Sequence, residues 1–180
     1  KEELILALKS ELLEHNLSEE VSIDETIIDS RKSKKGKLFI ALKGENHDAH
    51  NFLNQVFENG CKIAIIHKKQ DFDNFAKSSS AQILLVKDTF KALYKLAEFS
   101  RKRSKAQIIA ITGSVGKTSI KEMLSQAFAT QGKTFATPGN LNNHIGLPLC
   151  LSNFPQDCDY GIFEMGMNHL GEIEPLSKLA

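Results

Sequence analysis

Cysteine is scarce in this chain of 180 residues. Cys61, Cys150 and Cys158 are the only three, and no two have CxxC spacing. An odd, sparse set suits reduced thiols better than a disulfide framework or a zinc site. An excess of one charge is also missing. Lysine and arginine total 23 against 22 acidic residues, a net charge of +1. That balance provides neither a broad basic face for nucleic acid nor an acidic tail. Long apolar runs are missing too. Ile108 to Ile111 and Ile83 to Val86 are of strand length, far short of the roughly 18 residues that span a bilayer. No basic leader precedes an apolar stretch, so neither a signal peptide nor membrane insertion is expected, and a cytoplasmic setting is. The chain opens on Lys1 rather than Met and stops at Ala180 within what reads as a helix, so a piece of a longer protein is expected.

What is present reads as soluble and globular: 41% of the residues are hydrophobic and 25% charged, enough for one large domain or two small ones. Two segments differ in character. Residues 1–103 mix short helices and strands. Leu4, Leu8 and Leu12 recur every fourth position, which predicts one helix face. Lys37 to Leu42 predicts a strand. Phe52, Leu53, Val56 and Phe57 predict a helical stripe stopped by Asn59-Gly60. Strands are expected at Lys62 to Ile66 and Ile83 to Val86. Asp88 can cap a helix that buries Phe90, Leu93, Tyr94 and Ala97. The basic run Arg101 to Lys105 reads as a solvated helix end that complements the dipole.

The pattern changes over residues 104–180. Gln107 to Ile111 predicts a buried strand, followed by a glycine loop. Ile120, Met123, Leu124, Ala127 and Phe128 then give the spacing of an amphipathic helix ending at Gly132. A short strand is expected at Lys133 to Ala136, and Tyr160 to Glu164 predicts a second buried strand. Alternating strands and helices make this an α/β segment with a parallel sheet.

The loop that joins the first strand to its helix is Thr112-Gly-Ser-Val-Gly-Lys-Thr-Ser119. Glycines let several backbone N–H groups converge on one centre, and the helix N-terminus adds positive potential, so the loop suits phosphate. Gly113, Ser114, Val115, Gly116, Lys117, Thr118 and Ser119 are the candidate ATP-binding residues. Lys117 would reach the β- and γ-phosphates, and the Thr118 hydroxyl would face Mg²⁺. The general phosphate-loop rule wants glycine where this chain has Ile111, so the tighter G-x-x-G-K-T-S form applies. Such a loop does not name a reaction by itself.

Glu164 ends an apolar strand at the edge where a parallel sheet opens onto its ligand crevice. There it is a candidate Mg²⁺ ligand, or else a glutamate facing solvent. Asn168 and His169 follow in a glycine-containing loop near the same crevice. Between these elements, Thr137 to Pro148 is polar and turn-prone. It is read either as a functional loop or as a structural one held by Asx turns.

Together these blocks resemble the Mur ligases of cell-wall synthesis, in their MurF type. The matching residues are Thr112 to Ser119, Pro138-Gly-Asn-Leu-Asn-Asn-His-Ile-Gly-Leu-Pro148 and Phe163-Glu-Met-Gly-Met-Asn-His-Leu-Gly-Glu-Ile173. Asp29-Ser-Arg31 and Gly36 to Phe52 are similar to the UDP-binding domain shared by the MurE and MurF types. The Asp-Ser-Arg block disfavours a folylpolyglutamate synthetase, and the Glu-Met-Gly-Met-Asn-His block favours MurF over MurE. One departure is Ala49, where the family often has glycine.

The resemblance implies a small mixed α/β N-terminal domain that binds the UDP substrate (1–103). The start of a P-loop, parallel-sheet ATPase domain (104–180) would follow. It implies ATP and Mg²⁺ as cofactors, with Thr118 and Glu164 on the metal. Lys117, Asn142 and His169 would be catalytic. Ser30, Arg31, Lys43, Gly44, His47, His50 and Asn143 would contact substrate. The implied reaction is ATP-dependent ligation of D-alanyl-D-alanine to UDP-N-acetylmuramoyl-tripeptide by a monomer, through an acyl phosphate. The alternatives are a MurE-type ligase and a non-catalytic nucleotide-binding module. These 180 residues alone are expected not to ligate.

Overall fold

Short apolar runs bounded by turn residues build two separate sheets. The computed structural model describes residues 1–18, 22–77, 81–167 and 169–180. The chain divides into two units, Lys1–Lys95 and Leu96–Ala180.

The first unit runs α1 (Glu2–Leu8), β1 (Leu12–His15), β2 (Glu25–Ile27), β3 (Lys37–Ile40), α2 (Leu53–Glu58), β4 (Ile63–Ile66), α3 (Lys69–Phe75) and β5 (Gln82–Val86). Its sheet has the order β1-β5-β4-β3-β2. β2 to β5 are parallel, with Leu38 opposite Ile63 and Ile65 opposite Leu84, and β1 joins β5 antiparallel. Phe39, Ala64, Ile66, Ile83 and Leu85 pack on one face with Leu53, Val56 and Phe72. The alternate residues Leu38, Ile40, Ile65, Leu84 and Val86 are buried as well. Coverage of both faces explains why these strands read as unbroken apolar runs rather than alternating ones.

Leu12 departs from expectation. The helix stops at Leu8, the chain turns as the Glu11 amide bonds the Leu8 carbonyl, and Leu12 starts β1. Every-fourth spacing over so short a stretch does not distinguish a continuing helix from a turn into a strand. α2 ends as expected at Gly60, whose φ of +89° only glycine adopts readily.

Helix α4 (Thr89–Arg103) is capped by Asp88, whose Oδ1 accepts from the Phe90 and Lys91 amides at 2.7 and 3.0 Å. Its buried face is Ala92, Leu93, Leu96 and Ala97. Phe90 lies at the exposed margin, with its ring 5.1 Å from that of Tyr94. The unit division falls inside α4, between Lys95 and Leu96. Composition, by contrast, changes only after residue 103.

The second unit continues with β6 (Gln107–Ile111), α5 (Lys117–Ala129), β7 (Thr134–Ala136), α6 (Gly146–Ser152), β8 (Tyr160–Glu164) and α7 (Ile173–Leu179). The three strands are parallel in the order β6-β8-β7, with Ile111 opposite Glu164 and Ala136 opposite Ile162. β8 is central and buried, as its composition predicts.

Two expectations fail here. β6 is an edge strand: Gln107 and Ala110 are exposed, and of its residues only Ile111 is buried. α5 forms as predicted but is rotated. Lys121, Leu124, Ser125 and Phe128 face inward, whereas Ile120 and Met123 are 48% and 70% exposed. The sheet covers one flank of α5, and that flank is not the most apolar one. Among the described residues, no helix is long and apolar enough to cross a membrane.

Candidate functional site

The second unit gathers most of the predicted catalytic and nucleotide-binding residues at the C-terminal edge of its sheet. Between β6 and α5 the backbone turns through Gly113 and Gly116, with φ of +145° and +79°. A side chain at Gly116 would be strained even though nothing lies within 4 Å of it. Ser114 and Val115 are exposed at the loop tip, and Ser119 is exposed on the first turn of α5. Lys117 Nζ donates to the Gly113 carbonyl at 2.6 Å, so the lysine arches over the loop.

Glu164 does not face solvent. It is 2% exposed, and its two carboxylate oxygens are held by different elements. Oε2 accepts from the Thr118 hydroxyl at 3.0 Å, and Oε1 accepts from the Asn142 side-chain amide at 2.8 Å. Ile111 and Glu164 are register partners in neighbouring strands, and the phosphate loop leaves β6 directly after Ile111. Glu164 therefore emerges beside the loop.

Asn142 is fixed in turn, because its carbonyl accepts from the Gly166 amide at 2.8 Å. Asn143 Oδ1 accepts from the Ile145 and Gly146 amides ahead of α6. The Thr137 to Pro148 segment thus uses local side-chain turns while also presenting Asn142 to Glu164. A cavity of about 430 Å³ is lined by Lys117, Asn142, Asn143, His144, Gly166, Met167, His169 and Glu172. His169 is exposed there, and its amide bonds Glu172 at 3.3 Å. Asn168 lies outside the described residues.

Two contributors were not foreseen from the sequence. Lys121 is 1% exposed, and its Nζ donates to the Thr137 and Gly139 carbonyls at 2.9 and 3.2 Å. Thr137 is equally buried, and its hydroxyl accepts from the Glu164 amide at 3.0 Å. The available signal was a lysine one turn after Lys117, on the polar side of an otherwise apolar pattern. Glu172 and His144 also line the cavity unforeseen.

In the first unit, the substrate candidates leave the C-terminal ends of adjacent strands β2 and β3. Ser30 and Arg31 sit in a short 3₁₀ turn, where Arg31 folds back onto Asp29 with its Nη2 2.7 Å from a carboxylate oxygen. That bond holds the Asp29 carboxyl down at about 2. Lys43, Gly44 and His47 are exposed on a loop closed by the Gly44 amide on the His47 carbonyl, and by a Lys43–Asp48 bridge. A second cavity, of about 500 Å³, lies at the opposite edge among Lys35, Lys37, Lys62 and Gln82 and contains none of these residues.

His50 is placed differently from expectation. Its side chain is 1% exposed and both ring nitrogens are engaged within the unit. Nε2 accepts from the His67 amide at 3.2 Å, so Nδ1 carries the proton and donates to Asp48 at 2.7 Å. Burial pushes the His50 imidazole down, against the pull of Asp48. Burial also pushes the Asp48 carboxyl up, but bonds from Lys68 and from the amide and ring of His50 outweigh it and hold it low. The His50 ring therefore acts as a strut for its loop.

Two family models match the chain: the Mur ligase family catalytic domain over residues 22–101 and the Mur ligase middle domain over residues 111–180. The chain belongs to the Mur ligase family. The phosphate loop from Thr112, Asn142 and Glu164 all fall within the middle-domain match. Among curated proteins, this Mur ligase chain is 42% identical to UDP-N-acetylmuramoyl-tripeptide--D-alanyl-D-alanine ligase of Rickettsia prowazekii, over 91% of this chain and 35% of that one. It is 40% identical to the enzyme of the same name from Escherichia coli, over 86% of this chain and 32% of that one. It thus spans about a third of the length of these relatives. Among solved structures, a D-alanyl-D-alanyl ligase from Acinetobacter baumannii matches with a TM-score of 0.85 at 36% identity, covering 99% of this chain and 38% of that one. A MurF ligase from Thermotoga maritima in complex with ADP matches with a TM-score of 0.70 at 31% identity, covering 87% and 35%.

Proposed function

We propose that this chain is the substrate-binding and nucleotide-binding portion of a MurF-type ligase. That enzyme joins D-alanyl-D-alanine to UDP-N-acetylmuramoyl-tripeptide at the expense of ATP. The observation that carries this reading is the Thr118–Glu164–Asn142 chain of hydrogen bonds beside the glycine loop and Lys117, together with relatives of that name. The ADP complex of the Thermotoga maritima relative supports nucleotide at the loop.

Residues 104–180 are assigned to ATP. The loop amides of Gly113 to Ser119 bind the phosphates. Lys117 exchanges its bond to the Gly113 carbonyl for phosphate oxygens and stabilises charge on the transferred group. The donor set fits Mg²⁺. Glu164 is a buried carboxylate, no basic side chain among the described residues pairs with it, and the Thr118 hydroxyl lies beside it. Mg²⁺ takes hard oxygen ligands and needs few from protein when phosphate is present. When bound, it would neutralise phosphate charge, held by Thr118 and Glu164.

Activation of the tripeptide carboxylate as an acyl phosphate makes it an acylating agent. Transfer of the γ-phosphoryl group of ATP to that carboxylate releases ADP, and attack by the amine of D-alanyl-D-alanine on the acyl phosphate then forms the amide and expels phosphate, the amine giving up a proton. Asn142 orients Glu164, while Asn143 and His169 on the cavity hydrogen-bond the reacting groups. Residues 1–103 are assigned to the uridine diphosphate end of the substrate. Ser30, Arg31 and the Lys43–His47 loop make the contacts, and His50 supports that loop.

The test is Lys117→Ala in the full-length protein. The variant should keep its circular-dichroism spectrum and melting behaviour but lose ATP binding by calorimetry. Affinity equal to that of the unaltered protein would refute the assignment.

A further inference from the structure

Lys121 is, among the described residues, the most deeply buried formally charged side chain, at 1% exposure. A buried charge is costly unless every proton finds an acceptor. Lys121 Nζ meets three acceptors: the Thr137 carbonyl at 2.9 Å, the Gly139 carbonyl at 3.2 Å and Glu122 Oε1 at 3.1 Å. Its two carbonyl partners lie where β7 ends and the asparagine loop begins. A leucine here would fill the inward stripe of α5 without that cost, but it would leave both carbonyls without their donor.

The contacts continue toward the site. The Thr137 amide extends the strand pairing by donating to the Ile162 carbonyl at 2.9 Å. The Thr137 hydroxyl accepts from the Glu164 amide at 3.0 Å. Further along the same loop, Asn142 holds Glu164 Oε1. One turn before Lys121 on α5, Thr118 holds Glu164 Oε2. The backbone and both carboxylate oxygens of Glu164 are therefore set by two elements, α5 and the 137–142 loop. Lys121 ties those elements together from beneath.

We propose that Lys121 is a positioning residue for the metal–nucleotide end of the reaction: it holds the 137–142 loop so that Thr137 and Asn142 present Glu164 beside Thr118. This inference rests on the nucleotide and Mg²⁺ reading proposed above. A purely structural lysine would affect stability and all binding alike. A positioning lysine acts selectively on what Glu164 does.

The experiment uses the full-length protein and calorimetric titration of ADP, first in a chelator and then with Mg²⁺. Lys121→Met keeps the chain length and removes the charge. ADP affinity without Mg²⁺ should stay within about twofold of the unaltered protein, because the phosphate loop is untouched. The gain in ADP affinity on adding Mg²⁺ should fall by about tenfold, the scale of one lost hydrogen bond to a charged group. Lys121→Arg should restore most of that gain. Thr137→Val removes the hydroxyl at the other end of the link and should show the same selective loss. If Lys121→Met does not fold, Thr137→Val decides.

An unchanged Mg²⁺ effect in a folded Lys121→Met or Thr137→Val variant overturns the proposal. So does an equal loss of ADP affinity with and without Mg²⁺. If the unaltered protein itself shows no Mg²⁺-dependent ADP binding, the functional reading falls and this inference falls with it. If the unaltered protein shows that effect and the folded variants keep it undiminished, this inference alone falls.

Discussion

Replacing Glu164 with glutamine isolates the charge of the carboxylate from its shape. The two contacts survive the exchange. The remaining carbonyl oxygen still accepts from Asn142, and the new amide can donate to the Thr118 hydroxyl, which accepts as readily as it donates. Stability should therefore change by less than about 1 kcal/mol. Metal binding should change much more. Two unit charges about 4 Å apart interact by about 4 kcal/mol at an effective dielectric constant near 20. Water entering the coordination shell recovers part of this, leaving about 2–3 kcal/mol, or a roughly 30- to 150-fold loss of Mg²⁺ affinity. The assay is a calorimetric Mg²⁺ titration of the full-length protein saturated with ADP, paired with a circular-dichroism melt. A folded Glu164→Gln protein that binds Mg²⁺ within about threefold of the unaltered one would refute the reasoning.

Further outcomes follow from the same contacts. Gly166→Ala would place a Cβ 3.0 Å from Asn142 Cγ and Oδ1. It should displace that side chain from Glu164 and weaken the Mg²⁺ effect on ADP binding by about tenfold, at about 1–3 kcal/mol of stability. Melts and the ADP titration check both parts. His50 gives a pH signature. Its folded imidazole is held below the ordinary 6.5 by burial, so the unfolded chain takes up a proton first as pH falls. Its contribution is present above that value and drains below it until the folded ring itself protonates. Asp48 is held below its ordinary 3.8 and acts at lower pH: its contribution is lost as pH falls through its depressed folded value. His50→Gln should lower the melting temperature at about pH 7.5 and flatten its dependence between about pH 6.5 and pH 5. Parallel slopes in the two proteins would contradict the buried neutral ring.

The phosphate loop was legible because its chemistry is local. Glycines at fixed offsets between a strand and a helix determine where Lys117 and Thr118 lie. Glu164 was legible as a strand end, but its burial was not, since that depends on Asn142 arriving from a separate loop. Lys121 is not legible in the sequence because apolar periodicity selects the stripe containing Ile120 and Met123 as the inward one, whereas both are exposed. The sheet sets the rotation of α5 instead, and it places a lysine where the loop's carbonyls need a donor. Leu12 differs for a local reason: helix spacing cannot register the turn between Leu8 and Glu11. His50 lies in a substrate-loop motif, but its ring is buried and accepts from the His67 amide just beyond the end of β4. Contacts between segments distant in sequence decide the placement of Glu164, Lys121 and His50.

The most direct test supplies the full-length protein with ATP, Mg²⁺ and either UDP-N-acetylmuramoyl-tripeptide or the corresponding dipeptide, and measures ADP release across a panel of amino substrates. The account predicts release, with matching amide formation, on addition of D-alanyl-D-alanine. Turnover instead with UDP-N-acetylmuramoyl-dipeptide and meso-diaminopimelate or lysine, or none with any amine, would contradict it.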